Sequence, residues 1–287
     1  MNDAEHHPLP VDHPGVHDPV YRKRRAVIAA AGSSYRPGDP IPAIDYSAQE
    51  DDLWRIVSTE LAVKHQEFAC EEYLRGTRLL VLPTTRVPQL KEVDQRVSEL
   101  TGFHIQPVPG LVSTREFYGA LARRTFLSTQ YVRHHSVPFY TPEPDIIHEI
   151  IGHANMLASA VFADLYEAAG RASLRTSSEE ALEFFSRVFW FTLEFGTVRE
   201  RGEVKAYGAG LLSSFGEIDT FRDVELRPWD IGEMGSLAYD ITHYQSTLFC
   251  ASSFGDLVSG LRGFFEEFDE STYRERYARD HHHPVAG

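Results

Sequence analysis

The sequence predicts a mainly α-helical fold with small β elements, an α+β arrangement forming one domain over residues 46–275. Three observations lead there. Between residues 46 and 270 most segments space their apolar residues three or four apart, the period of a helix with one buried face. Only two short apolar runs, residues 79–83 and 104–108, read as strand or loop. No internal repeat of 20–50 residues and no shift of composition divides the span. The chain of 287 residues, 42% hydrophobic and 24% charged, has a globular composition. A domain of this size buries roughly 75% of its extended surface, enough for a dry interior.

The elements follow in order. Residues 1–45 hold seven of the 16 prolines, together with His6, His7, His13 and His17. Proline removes donors and interrupts helices, so this stretch is expected to be a flexible, extended arm. Residues 47–75 read as a charged amphipathic helix ending near Gly76, and residues 87–101 as a helix ending at Gly102. Ser113 or Thr114 caps a helix running to about residue 124. Further helices are expected over 144–169, 178–196, 229–243 and 254–267, with a polar tail, including His281, His282 and His283, over 276–287.

Composition excludes several functions. Lys plus Arg number 28 against 42 Asp plus Glu, a net charge of −14. Nucleic acid and anionic membranes need clustered cations, so neither is an expected partner. No apolar run approaches the ~18 residues that span a bilayer. The basic residues Arg22, Lys23, Arg24 and Arg25 precede an apolar stretch too short and too late for a signal peptide. Two cysteines, Cys70 and Cys250, cannot make a disulfide framework or a Cys-rich zinc site, and a reduced cytoplasmic setting is expected.

Chemistry concentrates in two helical segments. Pro142, Pro144 and Asp145 open the first, where prolines do least harm and Asp145 can cap. In His148-Glu149-Ile150-Ile151-Gly152-His153 the isoleucines share one side and the polar residues the other. An ordinary amphipathic helix explains that pattern equally well. The spacing is one residue longer than the HExxH of zinc proteases. On an ideal helix His148 and His153 diverge by about 140°. One metal takes both only if the turn loosens, which Gly152 makes easier.

The second segment carries Phe184, Phe185, Phe189, Trp190, Phe191 and Phe195, and is apolar nearly all round. A buried carboxylate there, Glu194, needs a cation, a strong donor or a metal. A salt bridge to Arg133 or Arg187 is one answer. The other makes Glu194 the third ligand beside His148 and His153. Two His and a carboxylate form the facial triad of non-haem Fe(II) oxygenases, with zinc the competing metal.

Three blocks carry a resemblance. Tyr131-Val132-Arg133-His134 runs on through Pro138-Phe139-Tyr140-Thr141-Pro142-Glu143-Pro144-Asp145 to the His148 segment. The second is Trp190-Phe191-Thr192-Leu193-Glu194-Phe195-Gly196. The third is the stretch from Lys205 to Glu217, which includes Tyr207-Gly208-Ala209-Gly210 and Ser213-Ser214-Phe215-Gly216-Glu217. In order and spacing they resemble the pterin-dependent aromatic amino acid hydroxylases over residues 50–270. The resemblance implies a single basket-like helical catalytic domain. It implies Fe(II) on His148, His153 and Glu194, and a tetrahydropterin stacked on Phe117 near Glu149, Val112, Thr114 and Phe189. It implies that Arg133 grips the substrate carboxylate, that Thr141 and Ser213 orient the amino acid, that Pro144 and Trp190 line the ring pocket and that Glu217 supports the site. Iron and reduced pterin would together activate dioxygen toward the ring. Gly208 and Gly210 form a G-x-G fragment, read as close backbone packing rather than phosphate binding.

Phenylalanine, hydroxylated to tyrosine, is the expected substrate. Trp190 fits phenylalanine and tyrosine hydroxylases, and Cys250 stands where tyrosine hydroxylases carry an acid. Three departures from the family bear on ring position and cofactor fit: Ala154-Asn155-Met156-Leu157 after His153, Phe189 in place of tyrosine, and Ser186 in place of alanine. They keep meta-hydroxylation of phenylalanine, or a tyrosine or tryptophan substrate, as alternatives. A zinc hydrolase and a non-catalytic amino-acid sensor are the readings from other classes. With no room for a regulatory domain in the first 45 residues, a monomer or small homo-oligomer is expected.

Overall fold

Local signals set most helix ends in the computed structural model, which describes residue 9 and residues 13–139, 141, 143–240 and 243–278. The first departure from expectation comes early. Residues 13–34 are not an extended arm, because α1 (Pro14–His17) and α2 (Pro19–Ser34) each begin at a proline, where the missing N–H costs nothing. Asp18 caps α2 by accepting from Val20 N and Tyr21 N. α2 is tied to the body where Tyr21 Oη donates to Val132 O (3.2 Å) and Arg25 pairs with Glu143. His6, His7, Pro8 and Pro10, Tyr140 and Pro142, and the tail from residue 279 with its three histidines lie outside the described residues.

The stretch predicted as one helix over 47–75 is two. α3 (Ala48–Phe68) opens with a Ser47/Glu50 capping box. It stops because Cys70 N donates to Ala206 O (2.9 Å), a tertiary bond that the helix cannot also satisfy. α4 (Glu71–Leu80) then takes in Leu79 and Leu80, so no strand forms there. α5 (Leu90–Thr101) ends at Gly102 with φ 72°, as read. β1 (His104–Pro107) pairs in parallel with β2 (Thr125–Ser128) across α6 (Thr114–Leu121), which Ser113 caps.

The long helix expected over 144–169 is divided. A π-helix covers His148–Ala154, a short α7 follows (Asn155–Leu157), and Ser159 caps α8 (Ala160–Ser173). α9 (Glu179–Phe189) likewise runs into a second π-helix, Trp190–Glu194. Next come β3 (Thr197–Glu200), β4 (Glu203–Ala206), α10 (Ala209–Ser213), α11 (Glu217–Thr220) and β5 (Glu225–Pro228). α12 (Ile231–Ser236) is much shorter than the helix read over 229–243. β6 (Thr247–Ala251) completes a four-stranded sheet in the order β4-β3-β6-β5, parallel at both β6 edges. α13 (Phe254–Glu267) has the predicted bounds. α14 (Glu270–Thr272) and a last π turn, Tyr273–Tyr277, close the described chain.

One large core extends from Leu53 to Tyr273. Phe184 and Phe185 on α9 pack against Phe264, Phe265 and Phe268, which fixes the helix leading to Glu194. Both π segments rest on α10. A Cβ on Gly152 would stand 2.7 Å from Ala209 O, and one on Gly208 would stand 2.3 Å from Glu194 O. The G-x-G fragment therefore serves close backbone packing. Gly152→Ala is expected to push α10 off the first π segment and cost about 1–3 kcal/mol, by the usual penalty of overpacking. Urea unfolding of the metal-free variant checks it, and an unchanged midpoint would refute the contact.

Candidate active site

His148 and His153 meet because their helix is not α. With i−5 bonding and roughly 4.4 residues per turn, five residues make little more than one turn. The two Nε2 atoms lie 3.1 Å apart. The loosened turn required by the spacing is thus the π-helix itself. Glu194 ends the second π segment and brings Oε1 to 3.1 Å from His153 Nε2 and Oε2 to 3.9 Å from His148 Nε2. The salt-bridge alternative is excluded by the arginines: Arg133 is paired with Asp145 and Arg187 with Glu183.

The outer partners fix both imidazoles. Ser213 Oγ donates to Ala209 O (2.8 Å), so it accepts from His148 Nδ1 (2.7 Å). Tyr166 Oη faces Met156 Sδ (3.6 Å) and accepts from His153 Nδ1 (2.7 Å). With both Nδ1 atoms donating outward, both Nε2 atoms turn inward and converge beside a carboxylate. Burial opposes a charge on His153, but Glu194 outweighs it and raises His153, so a proton rests there that a metal would replace. That donor set fits a divalent transition metal with open positions, and hydrogen bonds of this kind hold such ligands in place. Burial, then the neighbouring His153, depresses His148 to about 4, so its imidazole is neutral and ready to ligate. Burial would raise the Glu194 carboxyl, but His153 outweighs it and holds Glu194 below the usual range.

Glu149 also has an oxygen within 4.8 Å of the two imidazoles. It is turned elsewhere, accepting from Thr129 N and Thr129 Oγ1 at 3.2 Å each. Burial pushes its carboxyl up to about 7, a value suited to proton exchange near neutrality.

These groups line one cavity of about 390 Å³. Every site residue read from the sequence lines it: Val112, Thr114 and Phe117 on one wall, Arg133, Thr141 and Pro144 on another, with Phe189, Trp190, Ser213 and Glu217 beyond the His148, Glu149, His153 and Glu194 cluster. Phe117 packs edge-on against Phe126 and Phe189, at 5.8 and 6.0 Å between ring centres. Cys250 sits on β6 and is not among the residues lining this cavity.

Several functional side chains escaped the sequence reading. Asp145 does cap its segment, accepting from His148 N (3.1 Å). It also takes Arg133 Nη2 at 2.7 Å and Nε at 3.0 Å, while Nη1 donates to Pro138 O (3.4 Å) and keeps a second N–H beside the cavity. Tyr239 stacks on Trp190 at 4.3 Å and 12°, and Gln245 Oε1 accepts from Trp190 Nε1 (3.0 Å). Neither Tyr166 nor Tyr239 belongs to a motif; each is a tyrosine among 13, and only the fold selects it.

Glu217 is buried and accepts from Gln245 N (2.7 Å). Burial raises its carboxyl to about 7. Deprotonation is therefore penalised in the folded chain. Its contribution is fully favourable below the unfolded value of 4.5 and is lost as pH rises through 7. Glu217→Gln, which cannot titrate, is expected to exceed the parent in stability at pH 8 by up to about 3 kcal/mol and to match it below about pH 4. Urea unfolding across that range measures the difference, and parallel profiles would contradict the assignment.

Comparison with known proteins agrees with this geometry. The model of the biopterin-dependent aromatic amino acid hydroxylases matches residues 3–280. The chain is 46% identical to phenylalanine 3-hydroxylase of Streptomyces coeruleorubidus over 260 residues, covering 91% of this chain and 93% of that protein. It is 44% identical to human tyrosine 3-monooxygenase, covering 89% of this chain and 49% of that protein, so it spans about half that relative's length. Among solved structures, Chromobacterium violaceum phenylalanine hydroxylase with bound iron(III) and 7,8-dihydrobiopterin superposes with a TM-score of 0.71 at 29% identity, covering 79% of this chain and 85% of that one. Among the described residues no helix is long and apolar enough to cross a membrane. A mostly helical domain, a two-His, one-carboxylate cluster in an aromatic cavity, and these matches lead to one conclusion: the chain belongs to the biopterin-dependent aromatic amino acid hydroxylases.

Proposed function

We propose that the enzyme hydroxylates the ring of free L-phenylalanine, with His148, His153 and Glu194 holding Fe(II) and a tetrahydropterin bound along Phe117. The convergence of two inward-facing Nε2 atoms and a carboxylate on one side of an aromatic cavity carries this reading. Iron and reduced pterin, when bound, would activate dioxygen, which is the source of the oxygen added to the ring, with the pterin as reductant. The chain supplies the rest. Val112 and Thr114 flank Phe117 and hold the pterin ring against it, with Phe189 closing that wall. Glu149, poised near 7, holds or exchanges a proton on the pterin side. Arg133 grips the substrate carboxylate through the remaining N–H of Nη1, and Thr141 and Ser213 orient the amino acid. Pro144, Trp190, Phe195 and Tyr239 form an apolar slot for the ring, which favours phenylalanine over a phenol that would need a polar partner. Glu217 stiffens that slot through Gln245, the acceptor of the Trp190 N–H. Two unpaired cysteines are in keeping with a cytoplasmic setting, and the enzyme acts as a monomer or small homo-oligomer.

Para-hydroxylation to tyrosine is the primary outcome. Meta-hydroxylation is the second reading, favoured by the 46% identity to a phenylalanine 3-hydroxylase over nearly its whole length. Anaerobic loading with Fe(II) and tetrahydropterin, then oxygen with equimolar phenylalanine, tyrosine and tryptophan, separates them. Para-tyrosine supports the first reading and meta-tyrosine the second. Hydroxytryptophan or dihydroxyphenylalanine as the main product would overturn the substrate, and no product at all would overturn the activity.

A further inference from the structure

A π-helix is a strained choice of hydrogen bonding, and something must hold it. Asn155 N bonds to Ile150 O in the i−5 register, after which α7 returns to α bonding. The change of register passes over one carbonyl, that of Ile151. A buried carbonyl without a donor costs about 1–3 kcal/mol and would favour slipping back to α. Here two side chains fill it. Tyr73 Oη donates to Ile151 O at 2.7 Å, and Asn155 Nδ2 donates to the same oxygen at 3.0 Å. Asn155 Nδ2 also lies 3.3 Å from Tyr73 Oη, which closes a three-membered ring of contacts. Tyr73 is fully buried and Asn155 is 4% exposed, so water does not compete.

The same cluster reaches the other histidine. His65 lies edge-on to Tyr73, with ring centres 4.9 Å apart, and its Nε2 donates to Leu212 O at 2.6 Å. Leu212 precedes Ser213, the residue that holds His148. One buried unit therefore ties α3 and α4 to both ends of the ligand pair. An α-helical slip would return His148 and His153 toward 140° apart and open the site.

We infer that Tyr73 and Asn155 are positioning residues that lock the π register of the ligand helix and so set the affinity and geometry of the metal. The inference rests on the proposed metal site. Its test uses Co(II) and Fe(II) as probes on the full chain, comparing the parent with Tyr73→Phe, Asn155→Leu and a remote control, Ser173→Ala. Ser173 donates to Gly170 O inside α8, so its loss lowers stability without touching the site. Fe(II) dissociation constants, the ligand-field spectrum of bound Co(II) and urea unfolding are measured together. Expected for the two clasp variants is metal affinity weaker by about 10-fold or more and a shifted Co(II) spectrum. The control keeps both properties of the parent. A parent that binds neither metal overturns the site itself. A parent that binds both, with clasp variants that lose only stability while affinity and spectrum stay as in the parent, overturns the clasp alone. Should either clasp variant fail to fold, the other decides.

Discussion

Glu194→Ala is expected to abolish metal binding and with it all hydroxylated product. In the parent, two Nε2 atoms face each other at 3.1 Å, a distance that is held only while a proton or a cation lies at the pair. Among the described residues Glu194 contributes the only negative charge pointed at both nitrogens, since Glu149 is turned to Thr129. A metal bound to the folded chain alone adds stability of about 2.7 kcal/mol at a hundredfold excess over its dissociation constant. The parent should therefore show a higher melting temperature in Fe(II), and Glu194→Ala should show none of that increment. Measuring both proteins with and without Fe(II) separates loss of the metal from loss of the fold. An undiminished increment in the variant would place the third ligand elsewhere.

Much of this site could be read from the chain, and the parts that could not share one cause. The His148, His153 and Glu194 set was legible because a chemical demand attaches to each, whereas the residues around it were legible only through the family resemblance. A five-residue histidine spacing needs a loosened turn, and a carboxylate among six aromatics needs a cation, a strong donor or a metal, which here means being brought beside the two histidines. The π-helices meet both demands. α13 and α5 were legible because capping residues and Gly102 mark their ends locally. The strands β3 to β6 were not, because each is only four or five residues long and their parallel pairs join Thr197 to Cys250 and Glu225 to Thr247, far apart in sequence. The break at Ala69 was hidden for the same reason, since the competing acceptor is Ala206. The prolines of the first 45 residues suggested an arm, yet Pro14 and Pro19 start helices. Proline density alone does not separate an interrupted chain from a well-started helix.

Asp145→Asn is expected to damage stability and substrate binding together, and to divide the two in a way that reveals its role. Asp145 is fully buried and accepts from Arg133 N, Nε and Nη2 and from His148 N. It thus holds Arg133 and the start of the helix that carries His148 and His153 in one geometry. An amide keeps the shape, but it removes the charge and turns one acceptor into a donor facing the guanidinium. Leaving a buried arginine without its partner costs about 3–5 kcal/mol, which urea unfolding can measure. Lost stability alone lowers the amount of active enzyme, and so the apparent kcat, while the molecules that remain folded keep their KM. A misplaced Arg133 instead raises KM for the amino acid, here by an expected tenfold or more, and leaves KM for the pterin near the parent value. Arg133→Lys, which keeps the charge but not the planar fork, should raise the same KM with a smaller loss of stability. Equal amino-acid KM values in parent and both variants would remove Arg133 from substrate recognition and leave the pair as a packing element of the fold.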